Sequence, residues 1–167
     1  METVTIQGNP LSLVGQLPKV GDLAPDFTVT NQDMKPVTLS DLKSKVLVLL
    51  SVPSLDTPVC DLEARRFNNE AKNLGYDVGI VVISMDLPFA QKRWCGANGI
   101  ENVQVFSDYK DRDFGLKYGV LIKEIGLLAR CVFVLDEKRN IRYLELVKEI
   151  TNEPNYEEVL TNIKKLL

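Results

Sequence analysis

The chain has 167 residues, within the usual range for a single domain and enough to bury one sizeable core. Its 20 basic and 23 acidic residues give a net charge of -3, with neither sign gathered into a long block, which argues against a nucleic-acid or anionic-membrane surface. The sequence contains no histidine, which removes the Cys-His and Ser-His hydrolases and most zinc and haem sites. No run approaches the roughly 20 apolar residues of a membrane span. The opening METVTIQGNPLSLVG has neither a basic n-region nor an apolar h-region, so a soluble, cytoplasmic protein is expected.

In chain order, residues 3–6 and 11–14 form two short alternating runs around Gly8-Asn9-Pro10 and predict a β-hairpin, an extension over residues 1–15 of one domain spanning 1–167. Residues 26–30 and 36–39 predict a second strand pair around Asn31-Gln32-Asp33. The apolar run KVLVLLSV at 45–52 suits a strand buried on both faces. From Pro58 to about Leu74, Val59, Leu62, Phe67, Ala71 and Leu74 recur at helical spacing, and Gly75 suits the residue after the helix. DVGIVVISM at 77–85 reads as another buried strand and 88–97 as a helix. A strand near 103–107, a short helix around 111–117, strands at 130–135 and 141–146, and a helix over 156–166 complete the chain. Buried strands separated by helices predict an α/β fold, a three-layer α/β/α sandwich around a mixed sheet.

The three cysteines, Cys60, Cys95 and Cys131, are too few for a disulfide framework and odd in number, so chemistry is the better use for them. Pro58 fits the first helical position and Thr57 the N-cap, which puts Cys60 at the third position. There the free N-H groups and the positive end of the helix dipole favour an anion, and the thiolate is the nucleophilic form of cysteine. Acidity alone explains little. A thiol brought from about 8.5 to about 6 gains only some 30-fold in thiolate at pH 7, and nucleophilicity falls with pKa. Fast attack by such a thiolate would also need groups that orient the substrate and stabilise charge moving onto the leaving atom, for which Thr57 Oγ, the helix N-H groups and a cation are available.

The other residues read less sharply. Cys95, in Arg93-Trp94-Cys95-Gly96 near a helix end, serves equally well as a packing residue or as a reactive one. Arg130, at the start of a strand, reads by spacing alone as an edge or solvent residue. Cys131 follows it, so alternation sends its side chain to the opposite face, where a core thiol is expected. Phe89 and Trp94 read as helix-packing or interface residues.

The motif P-x-x-x-T-x-x-C, here Pro53, Thr57 and Cys60 at a helix start after a buried strand, resembles the active-site signature of the peroxiredoxins. PSLDTPVC, followed by PFAQKRWCG around Cys95 and LLARCVFVLD around Arg130, resembles their thiol peroxidase subfamily of atypical two-cysteine enzymes, from the N-terminal hairpin to the last helix. The resemblance implies a thioredoxin-like fold and a peroxidase acting on hydrogen peroxide and organic hydroperoxides. It implies Cys60 as peroxidatic cysteine, Cys95 as resolving cysteine in the same chain, and Thr57 as the hydroxyl that bonds peroxide and sulfur. Pro53 would be the ring that shields the site, and Arg130 the guanidinium that holds thiolate and peroxide. It further implies thioredoxin as electron donor, a homodimer, and no metal, flavin or haem. Cys131 is not part of that pattern. A disulfide reductase is the rival enzyme, but Thr57 and Glu63 stand where a C-x-x-C partner of Cys60 would be. A redox sensor would share the first chemical step and differ in turnover.

Overall fold

The computed structural model describes residues 2–167, so Met1, the first residue of the expected hairpin extension, lies outside the described residues. Ten strands and four α-helices follow one another as β1 (Thr3–Ile6), β2 (Asn9–Val14), β3 (Thr28–Thr30), β4 (Pro36–Thr38), β5 (Val46–Ser51), α1 (Pro58–Leu74), β6 (Val78–Ser84), α2 (Pro88–Asn98), β7 (Gln104–Ser107), α3 (Asp113–Lys117), β8 (Leu121–Ile122), β9 (Cys131–Leu135), β10 (Ile141–Leu146) and α4 (Tyr156–Lys164). Seven strands form one sheet in the order β10-β9-β5-β6-β7-β3-β4, with β5, β6 and β7 parallel and the others antiparallel.

Strand alternation divides the core. Val46, Val48 and Leu50 of β5 face one side with Cys60, Ala64 and Phe67 of α1 and Val159 and Ile163 of α4, and Trp94 and Cys95 of α2 pack against that cluster. Leu47 and Leu49 face the other side, with Phe114 and Tyr118 around α3 and Val4, Leu11 and Leu13 of the hairpin. The layer on that side is built from the five-residue helix α3 and the small sheet β1-β2-β8.

The hairpin turn falls one step earlier than the Gly8-Asn9-Pro10 cluster suggests. Ile6 pairs with Asn9, so Gln7 and Gly8 form the turn, with φ of 49° and 84°. Two positive φ values match the twist that a two-residue hairpin requires. β8 was not expected from the sequence; two residues acquire strand geometry only by pairing Ile122 and Leu121 with Leu13 and Val14 of β2.

Candidate active site

β5 delivers the chain directly into the loop that carries the candidate residues Pro53, Thr57 and Cys60. After Ser51 come the buried Val52 and Pro53, then a turn at Ser54–Thr57 that opens α1. Thr57 is the residue before Pro58, as its sequence suggests, but its hydroxyl does not cap the helix. Thr57 Oγ1 donates instead to the Ser54 carbonyl at 2.8 Å, which leaves the oxygen's lone pairs as acceptors and the first-turn N-H groups unclaimed by it. Asp86 anchors the same loop. Its carboxylate accepts from Ser54 Oγ at 2.7 Å, from Leu55 N at 2.8 Å and from Ser84 Oγ at 2.6 Å, and so ties the loop to the residues that open α2.

Cys60 sits on the buried face of α1 and is fully enclosed. Its sulfur accepts a hydrogen bond from a residue 70 positions away: Arg130 Nη1 donates to Cys60 Sγ at 3.3 Å. The same nitrogen donates to Glu63 Oε1 at 2.9 Å, while Nε and Nη2 both donate to the Ile150 carbonyl, at 3.1 and 2.8 Å. All of the guanidinium's nitrogens are thus engaged, and its planar fork is held in one orientation. Arg130 is the largest of the fully buried side chains, so the expectation of an edge residue drawn from spacing alone does not hold. Burial acts to lower its pKa, but the charges of Cys60 and Glu63 outweigh burial and raise it above the usual value.

Glu63 lies one helical turn beyond Cys60 on the same face and is fully buried. Burial pushes its pKa up to about 7 against the lowering effect of Arg130, with Glu145 and Glu153 adding to the rise. Oε1 meets the guanidinium, and Oε2 has no protein partner. Sequence reasoning missed this residue, because Leu62 was counted into the apolar stripe. Leu62 is in fact 54% exposed, and the buried face runs through Cys60, Glu63, Ala64, Phe67 and Asn68. A charged residue one turn from the key cysteine on that face was the available signal.

Cys95 occupies different surroundings. It is half-buried, accepts a 3.5 Å hydrogen bond from Gln32 Nε2, and lines a shallow cavity of about 260 Å³ with Asn31, Gln32, Asp33 and the β7 residues Gln104, Val105 and Phe106. Burial holds its thiol above the usual pKa, an effect only partly offset by Gln32. All three cysteines are free thiols. Arg130, beside Cys60, leads into β9, whereas the cavity of Cys95 is bounded by β7, three strands away in the sheet. The residues adjoining the two cysteines link the helices, Trp94 Nε1 donating to Asp61 Oδ1 at 3.0 Å. Around it, Arg65 bonds Asp61 and Asn98, and Asn98 Nδ2 donates to the Trp94 carbonyl at 2.8 Å. The residues next to both cysteines are thereby clasped while α1 and α2 remain intact.

Cys131 faces away from this cluster, as alternation suggests, and is packed in the opposite core, where burial first and Glu145 second raise its pKa well above the usual value. Phe89 is 67% exposed and Leu87 52% exposed, so Phe89 does not pack within this chain. A cavity of about 650 Å³ lined in part by Lys43, Lys45, Asp77 and Arg139 lies where β5 and β6 begin, at the opposite end of these strands from Cys60. Among the described residues no group of His, Cys, Asp and Glu is arranged to hold a metal, and no helix is long and apolar enough to cross a membrane.

The Redoxin family profile matches residues 19–160 of the chain. A thiol peroxidase of Bacillus subtilis (strain 168) is 53% identical over 167 residues, covering 100% of this chain and 99% of its own. A thiol peroxidase of Oceanobacillus iheyensis is 54% identical over 165 residues, covering 99% of this chain and 100% of its own. The crystal structure of a peroxiredoxin-like protein from Aquifex aeolicus is similar with a TM-score of 0.93 at 47% identity, over 100% of this chain and 98% of that one. A thiol peroxidase from Chromobacterium violaceum, at 20% identity and a TM-score of 0.88, shares the fold over 98% of this chain and 95% of its own.

Proposed function

The chain belongs to the redoxin family as one of its thiol peroxidases, which reduce peroxides at the expense of a thiol, and we propose that Cys60 is the thiol that attacks and Cys95 the one that resolves. The observation that carries this reading is the contact of Arg130 with Cys60 Sγ at 3.3 Å inside a fully buried site. A cation there stabilises the thiolate and, in the reaction, the charge that moves from sulfur onto the leaving oxygen.

The reaction proceeds in three balanced steps. The Cys60 thiolate attacks the distal peroxide oxygen, the S-O bond forms as the O-O bond breaks, and the alkoxide or hydroxide leaves and takes up a proton. Arg130 stabilises that charge transfer. Thr57 Oγ1, whose own hydrogen points to Ser54, is free to accept the hydrogen bond of the incoming hydroperoxide. Pro53, buried beside the loop, excludes water from the sulfur. In the second step the Cys95 thiol displaces hydroxide from the sulfenic acid and water is released as the disulfide forms. An external dithiol then reduces that disulfide by exchange.

A disulfide needs Cα atoms within about 7 Å, and the two cysteines have separate surroundings. On this reading the first turn of α1 and the Cys95 segment of α2 unwind in the second step, releasing Cys60 from its enclosure beside Arg130 and Cys95 from its cavity against β7. Unwinding also returns the Cys95 thiol, held up by burial, towards its ordinary acidity. Thioredoxin is the proposed dithiol, and hydrogen peroxide and organic hydroperoxides are the proposed substrates. A cytoplasmic homodimer completes the reading, with the exposed Leu87 and Phe89 as apolar surface for a second copy to cover.

The experiment is turnover of hydroperoxide with thioredoxin, thioredoxin reductase and NADPH. Wild type should consume peroxide continuously, Cys60→Ser not at all, and Cys95→Ser for a single turnover. Full turnover by Cys60→Ser would end the assignment, and a single stoichiometric oxidation by wild type would make the chain a sensor instead.

A further inference from the structure

We propose that the N-terminal hairpin is a brace for the active-site arginine, with Glu149 as the positioning residue that transmits its hold. The proposal rests on the reading of Arg130 and Cys60 given above, and it assigns a catalytic consequence to a part of the chain that contributes no atom to the site.

The orientation of the guanidinium is set on one side by Cys60 and Glu63 and on the other by a single backbone carbonyl, that of Ile150. Ile150 belongs to the connection between β10 and α4, residues 147–155, which lies outside both elements. A carbonyl on such a segment aims steadily only if something holds the segment. Val147 N donates to the Arg130 carbonyl at 3.0 Å, which secures one end. The rest is held by the hairpin. Thr5 N donates to the Lys148 carbonyl at 2.7 Å and Ile150 N donates to the Thr5 carbonyl at 2.9 Å, so that β1 pairs with this stretch as a short parallel strand.

Glu149 locks that pairing. Its Oε1 accepts from Gly8 N and from Thr5 Oγ1, both at 2.9 Å, and its Oε2 accepts from Gln7 N at 3.1 Å and from Thr151 N and Oγ1 at 3.0 and 2.6 Å. The Gln7 and Gly8 N-H groups converge on one carboxylate because both residues have positive φ, which is what the tight turn provides. One side chain thus joins the hairpin turn, β1 and the residue that follows Ile150. The sequence of contacts runs from hairpin to Glu149, to the Ile150 carbonyl, to Arg130, to Cys60.

Misplacement of an active-site group by about 1 Å can cost on the order of 100-fold in rate. A loosened segment that lets the fork tilt should therefore slow attack on peroxide while leaving Cys95 to close the disulfide as before.

The test measures three quantities in Glu149→Ala and the milder Glu149→Gln: the second-order rate constant for the first reaction with peroxide, the rate of disulfide closure, and the melting temperature. Val4→Ala serves as the control, because Val4 is a buried apolar residue of the same hairpin and belongs to none of these hydrogen bonds. Glu149→Ala should lower the peroxide rate constant by about 10-fold or more, and Glu149→Gln by less, with closure within about 2-fold of wild type. Val4→Ala should lower the melting temperature with its peroxide rate constant within about 2-fold of wild type. In an Arg130→Lys background, Glu149→Ala should add almost nothing, since the fork it positions is gone. An unchanged peroxide rate constant in Glu149→Ala, an equal loss in Val4→Ala, or full additivity with Arg130→Lys would each overturn the proposal. None of these results would disturb the role of Cys60, which stands or falls on Cys60→Ser.

Discussion

Replacing Arg130 with lysine keeps the charge and removes the fork, which separates two contributions that the wild-type residue combines. The guanidinium donates to Cys60 Sγ and Glu63 Oε1 on one side and twice to the Ile150 carbonyl on the other. An ammonium group is a compact point charge that cannot span both sides at once. Loss of one preorganised donor to a developing anion costs about 100- to 1,000-fold in rate, roughly 3 to 4 kcal/mol. Arg130→Lys should thus lower the second-order rate constant for peroxide by about 100-fold, read by stopped flow from the fluorescence of the single tryptophan, Trp94. Arg130→Met should lose more, and should also destabilise the protein, because Glu63 is left buried without a counter-charge. That destabilisation should shrink in the double variant Arg130→Met with Glu63→Gln. A rate constant for Arg130→Lys within about 3-fold of wild type would refute the reasoning, since the charge alone would then suffice.

Glu63→Gln should change the pH dependence of stability. The folded-state pKa of Glu63 is raised to about 7, above its ordinary value of 4.5, so its contribution is fully present below pH 4.5 and is lost as pH rises through 7. Wild type should lose melting temperature relative to Glu63→Gln between pH 4.5 and 7; parallel curves across that window would contradict the raised pKa. Asp61→Ala, which removes the acceptor of Trp94 Nε1, should accelerate disulfide closure by about 5-fold, the equivalent of a hydrogen bond contributing about 1 kcal/mol, and reduce overoxidation to sulfinic acid at high peroxide. Slower closure in this variant would show that the clasp guides the cysteines together instead of restraining them. Alkylation with iodoacetamide at pH 8 should label Cys95 more slowly than a small free thiol and Cys131 only after denaturation, because burial raises both pKa values.

What the sequence revealed depended on how local the cause was. The Thr57-Pro58 start and Gly75 stop locate α1 at Pro58–Leu74 because both signals act within one turn of the chain. The hairpin was legible and its turn was not. Pro10 looked like a turn residue, but it sits in β2 opposite Thr5. Thr5 N is bonded to Lys148 rather than to β2, so no hydrogen bond is missed where Pro10 has no N-H. Arg130 and Glu63 illustrate the opposite limit. Each is a charged residue that by itself predicts exposure, and each is buried because the other, 67 positions away, offsets its charge. Motif resemblance supplied Arg130, while Glu63 was marked only by its place one helical turn from Cys60, on a face whose burial the apolar positions alone did not reveal. The clasp of Asp61, Arg65, Trp94 and Asn98 was equally hidden, since it arises only when α1 and α2 lie side by side.

The central claim is that Cys60 is oxidised first and then captured by Cys95, and peptide mapping by mass spectrometry after one equivalent of hydroperoxide tests it most directly. The account predicts a single linkage joining the peptides of Cys60 and Cys95 within one chain, with Cys131 still a free thiol, and a stable sulfenic acid on Cys60 in Cys95→Ser. A linkage through Cys131, or oxidation of Cys95 while Cys60 remains reduced, would contradict it.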